Sequence, residues 1–182
     1  MNERAAHLIT TLGLRLHPEG GYYREIFRSR DEVTPADGRG PRAALTTIYF
    51  LLVEGTHSQW HQVASDEAWH LYEGGPLELL ELDASASVLS SHRLEPLGDG
   101  SGGPVHVVPS GHWQAARPLG PYALVGCTVG PGFDFADFRL LRDDHDLSSI
   151  VRTRFPDVAE LGSDSIFIVR TQGLRSNDEN GV

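Results

Sequence analysis

Lysine is absent from this sequence of 182 residues, so all fifteen basic residues are arginine. A Schiff-base mechanism, a pyridoxal-phosphate enzyme and a P-loop NTPase each depend on a lysine amine, so the sequence excludes these classes. Twenty-five acidic residues give a net charge of −10. Such a surface repels the phosphate backbone, and we expect no nucleic-acid partner.

Cysteine and long apolar runs are also scarce. Cys127 is the only cysteine, which excludes an intrachain disulfide and a multi-cysteine zinc site. It falls in the apolar run 123–129 and is predicted to be an inert, buried thiol. No apolar run reaches the roughly 20 residues that cross a bilayer, and the first residues lack the pattern of a secretory signal. We therefore expect a cytoplasmic protein without a membrane partner.

Short strand patterns dominate what is present. Residues 2–12 have the apolar spacing of one N-terminal helix, with Gly13 at its end. Strand candidates then follow at 20–27, 44–53, 58–63, 67–73, 77–83, 86–93, 106–108, 113–117, 122–129 and 135–140, separated by Gly- and Pro-rich turns. This spacing is typical of an all-β sandwich or barrel. A short C-terminal helix is predicted over 146–154, with Asp146 as its cap and Pro156 beyond it.

Two spaced motifs carry a family resemblance. The first, G-x5-H-x-V-x3-E-x6-G, consists of Gly55, His61, Val63, Glu67 and Gly74. The second, G-x5-P-x-G-x2-Q, consists of Gly103, Pro109, Gly111 and Gln114. Both resemble the cupin motifs, in which histidines stand where this chain has Val63 and Gln114.

Longer blocks resemble one cupin branch more narrowly, a branch described only as a domain of unknown function. The blocks are HPEGGYYRE (17–25), TTIYFLL (46–52), WHQVASDEAWHLYEGGPLEL (60–79), VPSGHWQAA (108–116) and VGCTVGPGFDFADF (125–138). The resemblance implies a double-stranded β-helix, or jelly-roll barrel, with an N-terminal helix and a short C-terminal helix. We expect one cupin domain over residues 1–160 and a partly disordered extension over 161–182.

Strand alternation places the candidate site inside the barrel. With His61 and Glu67 inward, the same faces carry four further polar or aromatic residues, namely Gln59, Trp69, His112 and Gln114. His61 and Glu67 form a candidate catalytic acid/base pair, in which His61 is the base and Glu67 orients it. The other four are candidate substrate-binding residues. A hydrogen-bonded polar pair without chemistry is the alternative for His61 and Glu67.

The resemblance also raises the question of a metal. Of the four usual cupin ligand positions, this chain keeps His61 and Glu67, has Gln114 at the third and loses the fourth to Val63. A carboxamide is a poor ligand for a transition metal, and valine is none. We expect no tight metal, and His61, Glu67 and Gln114 are the ligands if a divalent transition metal binds weakly.

The run from Glu19 to Phe27 is similar to a pocket-lining segment of sugar-nucleotide 3,5-epimerases, which are also cupins. Glu19-Gly20 stands where an arginine contacts phosphate in those enzymes, so Tyr23 and Arg24 are the candidate substrate contacts here. Arg28 is a further candidate, although packing at an edge strand is the simpler interpretation of that residue.

The positions of three aromatic residues indicate an oligomeric state for the chain. Trp60, Tyr72 and Trp113 fall on the face opposite the pocket, where a partner or the other sheet would cover them. The strand within 20–27 also resembles an exchangeable edge. These features predict a homodimer.

The predicted function is that of a cupin that binds a small polar metabolite. If it is an enzyme, a sugar or sugar-nucleotide isomerase or epimerase with a His–Glu acid/base pair is favoured. One alternative is a metal-dependent dioxygenase or lyase, and another is a ligand-binding or sensing module without turnover.

Overall fold

The computed structural model describes residues 1–98 and 102–162, and its first element is the predicted helix. Helix α1 covers Glu3–Leu12. The Asn2 side chain caps it by accepting hydrogen bonds from the backbone N–H groups of Arg4 and Ala5. Gly13 ends it in the left-handed conformation.

Short strands form most of the remaining structure, as predicted. They are β1 Arg15–Leu16, β2 Tyr22–Arg28, β3 Glu32–Val33, β4 Arg42–Ala43, β5 Thr46–Val53, β6 His61–Val63, β7 Asp66–Gly74, β8 Leu77–Leu82, β9 Leu89–Leu94, β10 Val105–Val108, β11 Trp113–Pro118, β12 Tyr122–Gly130 and β13 Phe138–Leu140.

Two antiparallel sheets face each other. One has six strands in the order β1-β2-β5-β12-β7-β10, and the other has five in the order β13-β6-β11-β8-β9. Strands β3 and β4 form a separate small ribbon. Neighbours in each sheet come from distant parts of the chain, which is the crossing pattern of a jelly roll. The predicted all-β cupin fold is confirmed.

Three apolar clusters stabilise these layers. The first lies between the sheets and includes Phe50 and Trp69 from one sheet with Leu79 from the other. The second covers the outer face of the five-stranded sheet. The third packs α1, through Ala5 and Leu8, on the outer face of the six-stranded sheet. Burial of this apolar area is the main favourable term in folding.

The C-terminal segment provides the cover for the second cluster. Helix α2 covers His145–Arg154 and α3 covers Pro156–Ala159, with 3₁₀ turns at Phe135–Asp137, Leu141–Asp143 and Glu160–Gly162. The N-cap of α2 is Asp144 rather than the predicted Asp146, and Pro156 opens α3 instead of only following a helix. In the described ranges, no helix is long and apolar enough to cross a bilayer.

Two predictions about this segment are corrected. Trp60 and Trp113 are 0% and 1% exposed because Val151, Val158 and their neighbours in the C-terminal segment cover them, so no partner is needed there. Leu161 belongs to the same cluster, so packing continues past residue 160. The disorder expected after that point concerns residues 163–182, which lie outside the described residues.

Candidate active site

A cavity of about 390 Å³ opens between the two sheets on the side where β2, β6 and β13 lie. His17, Glu19, His61 and Glu67 are its titratable residues in the interior. Glu19 and Glu67 are each 6% exposed, and His61 is 2% exposed. Four ionisable side chains that are buried together in one cavity are typical of a functional site.

A tight turn between β1 and β2 places Glu19 in this cavity. The Gly20 N–H donates to the His17 carbonyl at 3.0 Å, and the Gln59 N–H donates to the Glu19 carbonyl at 2.7 Å. Gly20 has φ +104°, and a Cβ there would lie 2.5 Å from the His57 carbonyl oxygen. Only glycine fits this position, and the turn therefore fixes Glu19 beside His61.

Glu19 and His61 form a buried pair. The His61 Nε2 atom lies 3.2 Å from Glu19 Oε2, and His61 Nδ1 lies 2.8 Å from the Gln59 carbonyl oxygen. A carbonyl only accepts, so Nδ1 carries the hydrogen and Nε2 presents its lone pair to Glu19. Burial lowers the pKa of His61 to about 4, whereas burial and then the Glu67 charge raise the pKa of Glu19 well above its ordinary value. Burial therefore favours the uncharged form of both side chains, with the proton between them on Glu19.

Glu67 is held by a different contact. Gln114 Nε2 donates to Glu67 Oε2 at 2.5 Å, and Gln114 Oε1 accepts from Trp69 Nε1 at 2.9 Å. Burial raises the pKa of Glu67 to about 7, although the hydrogen bonds from Gln114 and Cys127 oppose that rise. Glu67 therefore changes protonation near neutral pH, which suits an acid/base group.

His17 stays neutral in the same cavity. Its Nδ1 accepts the Glu19 backbone N–H at 3.3 Å, which leaves the hydrogen on Nε2. Burial, followed by the positive charges of His61 and Arg15, lowers the pKa of His17 to about 3. The ring packs edge-on against Tyr23, with 4.4 Å between centroids.

Cations and aromatic rings surround the mouth of the cavity. The Arg15 guanidinium lies 5.0 Å from the centroid of the Tyr23 ring and makes no ion pair within the described ranges. Arg28 is held by two hydrogen bonds to Glu25 and one to the Phe133 carbonyl. Arg15 is therefore the cation that is available to an incoming anion.

The segment 133–138 forms the other wall of the mouth. Phe133, Phe135 and Phe138 line the cavity. Asp137 anchors the segment through two hydrogen bonds from Arg42. These half-buried, charge-assisted bonds hold the aromatic wall in position.

Three of the predicted site residues line the cavity, namely His61, Glu67 and Tyr23. The predicted contact between His61 and Glu67 is replaced, because Glu19 rather than Glu67 faces His61 Nε2. The backbone carbonyl of Gln59 orients His61 instead.

The other predicted residues lie elsewhere. Trp69 and Gln114 are core residues beneath Glu67, the Gln59 side chain is absent from the cavity wall, and Arg24 donates to the Leu12 carbonyl at the end of α1. His112 contacts Glu81 in a separate cluster. The predicted placement of these five side chains in the pocket is therefore corrected.

Sequence reasoning missed His17, Glu19 and Arg15 as cavity residues. A signal was present in the block HPEGGYYRE, where a His-x-Glu pair precedes two glycines. Such a turn can bring its polar side chains inward, but strand alternation does not apply to a turn. Cys127 is buried as predicted and also contributes to the cavity wall.

The usual cupin metal positions do not fit a metal here. Val63 provides no ligand atom, and both polar ends of Gln114 are already hydrogen-bonded, to Glu67 and to Trp69. His61 and Glu67 alone leave a transition-metal site without enough ligands. The acid/base chemistry of this cavity therefore rests on its own side chains.

Comparisons with known proteins agree with this fold. A family model described as "Cupin superfamily (DUF985)" matches residues 6–141. A hypothetical protein from Leishmania major is 29% identical, with a TM-score of 0.75, over 86% of this chain and 95% of that one. Protein SO0799 from Shewanella oneidensis is 29% identical, with a TM-score of 0.72, over 85% and 92% of the two chains.

A more distant solved structure shows the fold alone. Oxalate decarboxylase from Bacillus subtilis is 19% identical, with a TM-score of 0.51, over 81% of this chain and 36% of that chain. No protein with a curated description matches the sequence. From the match over residues 6–141 and the two-sheet fold, we conclude that the chain belongs to the cupin superfamily, in its DUF985 branch.

Proposed function

We propose that this cupin is an isomerase or epimerase that moves a proton next to a carbonyl of a small, anionic, carbohydrate-like molecule. The observation that carries the proposal is the buried Glu19–His61 pair, with 3.2 Å between Oε2 and Nε2, in the same cavity as Glu67. Proton-transfer enzymes use such pairs of groups whose environments separate their pKa values.

The protonation states support distinct roles for the two carboxyl groups. Glu67, with its pKa raised to about 7, is available as a carboxylate base at or above neutral pH. Burial and the Glu67 charge favour the protonated form of Glu19, which passes its proton toward His61 Nε2 or toward a substrate oxygen. One base and one acid in one cavity are the minimum for a proton shift.

The proposed reaction balances without a further reactant. Glu67 takes the proton from the carbon next to the carbonyl, and the C–H electron pair forms a C=C bond. The carbonyl π electrons move to oxygen, which receives the proton of the Glu19–His61 pair. The epimer forms when a water molecule on the opposite face returns a proton to the same carbon, the enol oxygen gives its proton back to the Glu19–His61 pair, and Glu67 releases its proton to solvent. Where that carbon carries a hydroxyl group, the isomer forms when Glu67 delivers its proton to the former carbonyl carbon and the hydroxyl, which becomes the new carbonyl, gives its proton to the pair.

The cavity mouth supports the substrate class. Arg15, free of an ion pair among the described residues, suits a carboxylate or phosphate. Tyr23 and Phe135 present flat apolar surface, on which sugar C–H groups pack well. A cavity of about 390 Å³ suits a molecule of the size of a sugar acid or sugar phosphate.

Solvent-deuterium exchange tests the proposal without knowledge of the product. The protein is incubated in D₂O with a panel of sugar acids and sugar phosphates, and carbon-bound deuterium is measured by NMR. We expect incorporation at a carbon next to the carbonyl with at least one compound. The Glu67→Gln variant should reduce the rate by about 10²- to 10⁴-fold.

Matched control variants distinguish an effect on the proposed site from a general effect on the protein. Glu54→Gln changes an exposed carboxylate and should leave the exchange rate unchanged. Arg15→Gln should weaken binding of the anionic substrate, whereas Arg30→Gln, also exposed, should not. Binding without exchange in the wild type would contradict the enzyme proposal and favour the ligand-binding alternative.

A further inference from the structure

We propose a second ligand site in this protein, a divalent transition-metal site formed by Glu81, His92 and His106. Oε2 of Glu81 and one ring nitrogen of each histidine lie within 4.8 Å of one another. The site is separate from the cavity described above, whose wall contains none of these residues. It also uses none of the four cupin motif positions.

The topology explains why these side chains meet. Glu81 lies on β8 and His92 on β9, and β9 is the edge of the five-stranded sheet. His106 lies on β10, the edge of the six-stranded sheet, opposite Trp69 in the register. The three side chains therefore meet where the edge strands of the two sheets, β9 and β10, come close together. The isolated bridge between Leu94 and Gly103 lies at the same place.

The ligand atoms are already arranged around one carboxylate oxygen. Oε2 of Glu81 lies 2.8 Å from His106 Nε2 and 3.3 Å from His92 Nε2. In a tetrahedral site with bonds of about 2.0–2.1 Å, ligand atoms are roughly 3.3 Å apart. The contact with His92 has this spacing, and the contact with His106 needs to open by about half an ångström.

His92 provides an independent observation. Its Nε2 atom is buried and, in the part of the chain that the structure describes, has no aligned hydrogen bond despite its short distance to Glu81. Its ring is stacked on that of His106, with 3.6 Å between centroids. An unpartnered nitrogen directed at a carboxylate is costly without a cation between them, and a metal ion would satisfy it.

A fourth residue supports the carboxylate. His112 Nδ1 lies 2.7 Å from the other oxygen of Glu81, Oε1. A hydrogen bond to the oxygen that does not bind the metal is the usual way to orient a ligating carboxylate. His112 is therefore a positioning residue of the proposed site.

The ligand set indicates the class of metal. Two imidazoles and one carboxylate suit Zn²⁺, Ni²⁺, Co²⁺ or Cu²⁺ better than Mg²⁺ or Ca²⁺, which prefer oxygen ligands. A polar groove of about 310 Å³ beside His92 and His106 gives water access to a fourth position. The bound metal would join the edges of the two sheets and stabilise the folded chain.

Zinc titration of the full-length chain tests the site. After removal of metals with a chelator, Zn²⁺ is titrated by calorimetry, and Co²⁺ absorption in the visible range reports the ligands. We expect one Zn²⁺ per chain, about 10²-fold weaker binding in His92→Gln or His106→Gln, and about tenfold weaker binding in His112→Ala. Zinc should also raise the melting temperature of the wild type but not that of His106→Gln.

Two controls locate the metal. His145→Gln changes an exposed histidine and His61→Asn changes the cavity, and both variants should bind Zn²⁺ as the wild type does. Circular dichroism confirms that each variant is folded. An absence of Zn²⁺ binding in the wild type, or binding that survives His92→Gln and His106→Gln, would overturn the proposal. Loss of binding in His61→Asn would overturn it as well.

Discussion

The Nε2 atom of His61 lies 3.2 Å from the Oε2 atom of Glu19, and burial favours the uncharged form of both side chains. The two residues are 42 positions apart in the sequence. The turn before β2 and the start of β6 bring them together through the Gln59 N–H, which donates to the Glu19 carbonyl. A backbone hydrogen bond thus sets the distance between two titratable side chains.

The pH dependence of the proposed exchange reaction follows from the two carboxyl groups. The rate should rise as pH increases through about 7, because Glu67 must lose its proton to act as the base. It should fall at higher pH as Glu19 loses the proton that it donates. Rates of deuterium exchange measured between pH 5 and pH 10 check this. A rate that is already maximal at pH 5 would contradict the role of Glu67.

The stability of the protein should depend on His17. Its pKa is about 3 in the folded chain, against an ordinary value of 6.5, so the folded state binds fewer protons than the unfolded state between these values. The stability that depends on an uncharged His17 is fully present above pH 6.5 and is lost as pH falls toward 3. At pH 5 the loss is about 2 kcal/mol of unfolding free energy.

The His17→Asn variant isolates this contribution, because Asn keeps an acceptor for the Glu19 N–H. Urea unfolding at pH 7 and pH 5 should show a smaller loss on acidification in the variant than in the wild type. The comparison between variant and wild type is needed because Glu67 has the opposite effect on stability. Its pKa is raised to about 7, so the folded state is stabilised as pH falls through 7. His145→Asn serves as the exposed control, and an equal loss in wild type and His17→Asn would refute the assignment.

Much of the fold was predictable from the sequence because the signals were local. Apolar spacing identified α1, and turn residues separated nearly all the strands correctly. The 3₁₀ turn at 135–137 was the main local error, because its aromatic residues resemble a strand whereas the Asp134 side chain caps a turn at Ala136. The observed strand ends differ from the predicted ends by one to three residues, because burial rather than local propensity decides where a strand ends.

The candidate site was predictable only in part. His61 and Glu67 follow from motif spacing and inward direction, and both side chains line the cavity. Glu19 reaches the cavity from a turn, and its partner is fixed by a long-range hydrogen bond that no local pattern contains. The Gln114 side chain does point inward, but it lies in the core beneath Glu67, where it contacts the buried Trp69 indole. Strand alternation predicts the inward direction but does not distinguish the core from the cavity.

The homodimer stays a prediction, but its physical basis changes. Trp60 and Trp113 are covered within the chain, whereas Tyr72, Val105 and Val107 are 53%, 50% and 49% exposed on neighbouring strands β7 and β10. An apolar strip on a sheet face is typical of a contact between copies. Light scattering at micromolar concentration should give about twice the mass of the chain.

The variant Val107→Lys tests the same face. A charge in an apolar contact is unfavourable, so this variant should give the mass of one chain with unchanged circular dichroism. Leu97→Lys, at another exposed apolar residue, should leave the dimer intact. A single-chain mass for the wild type would contradict the prediction.

Gln114 connects the core to the acid/base chemistry, and its replacement should affect both. In Gln114→Leu, Glu67 loses the Nε2–H donor and Trp69 loses the acceptor of its indole N–H. Each buried group left without a partner costs about 1–3 kcal/mol, so for the two groups we expect a loss of roughly 2–6 kcal/mol in unfolding free energy. Urea unfolding measures this loss.

The same substitution should move the pH profile of the proposed exchange reaction. The hydrogen bond from Gln114 lowers the pKa of Glu67, so its removal should raise that pKa and shift the rise in rate to higher pH. Gln62→Leu is a matched control, because Gln62 donates to the Gly111 carbonyl outside the cavity. It should destabilise the fold without moving the pH midpoint. An unchanged midpoint in Gln114→Leu would mean that Glu67 is not the group whose ionisation controls the rate.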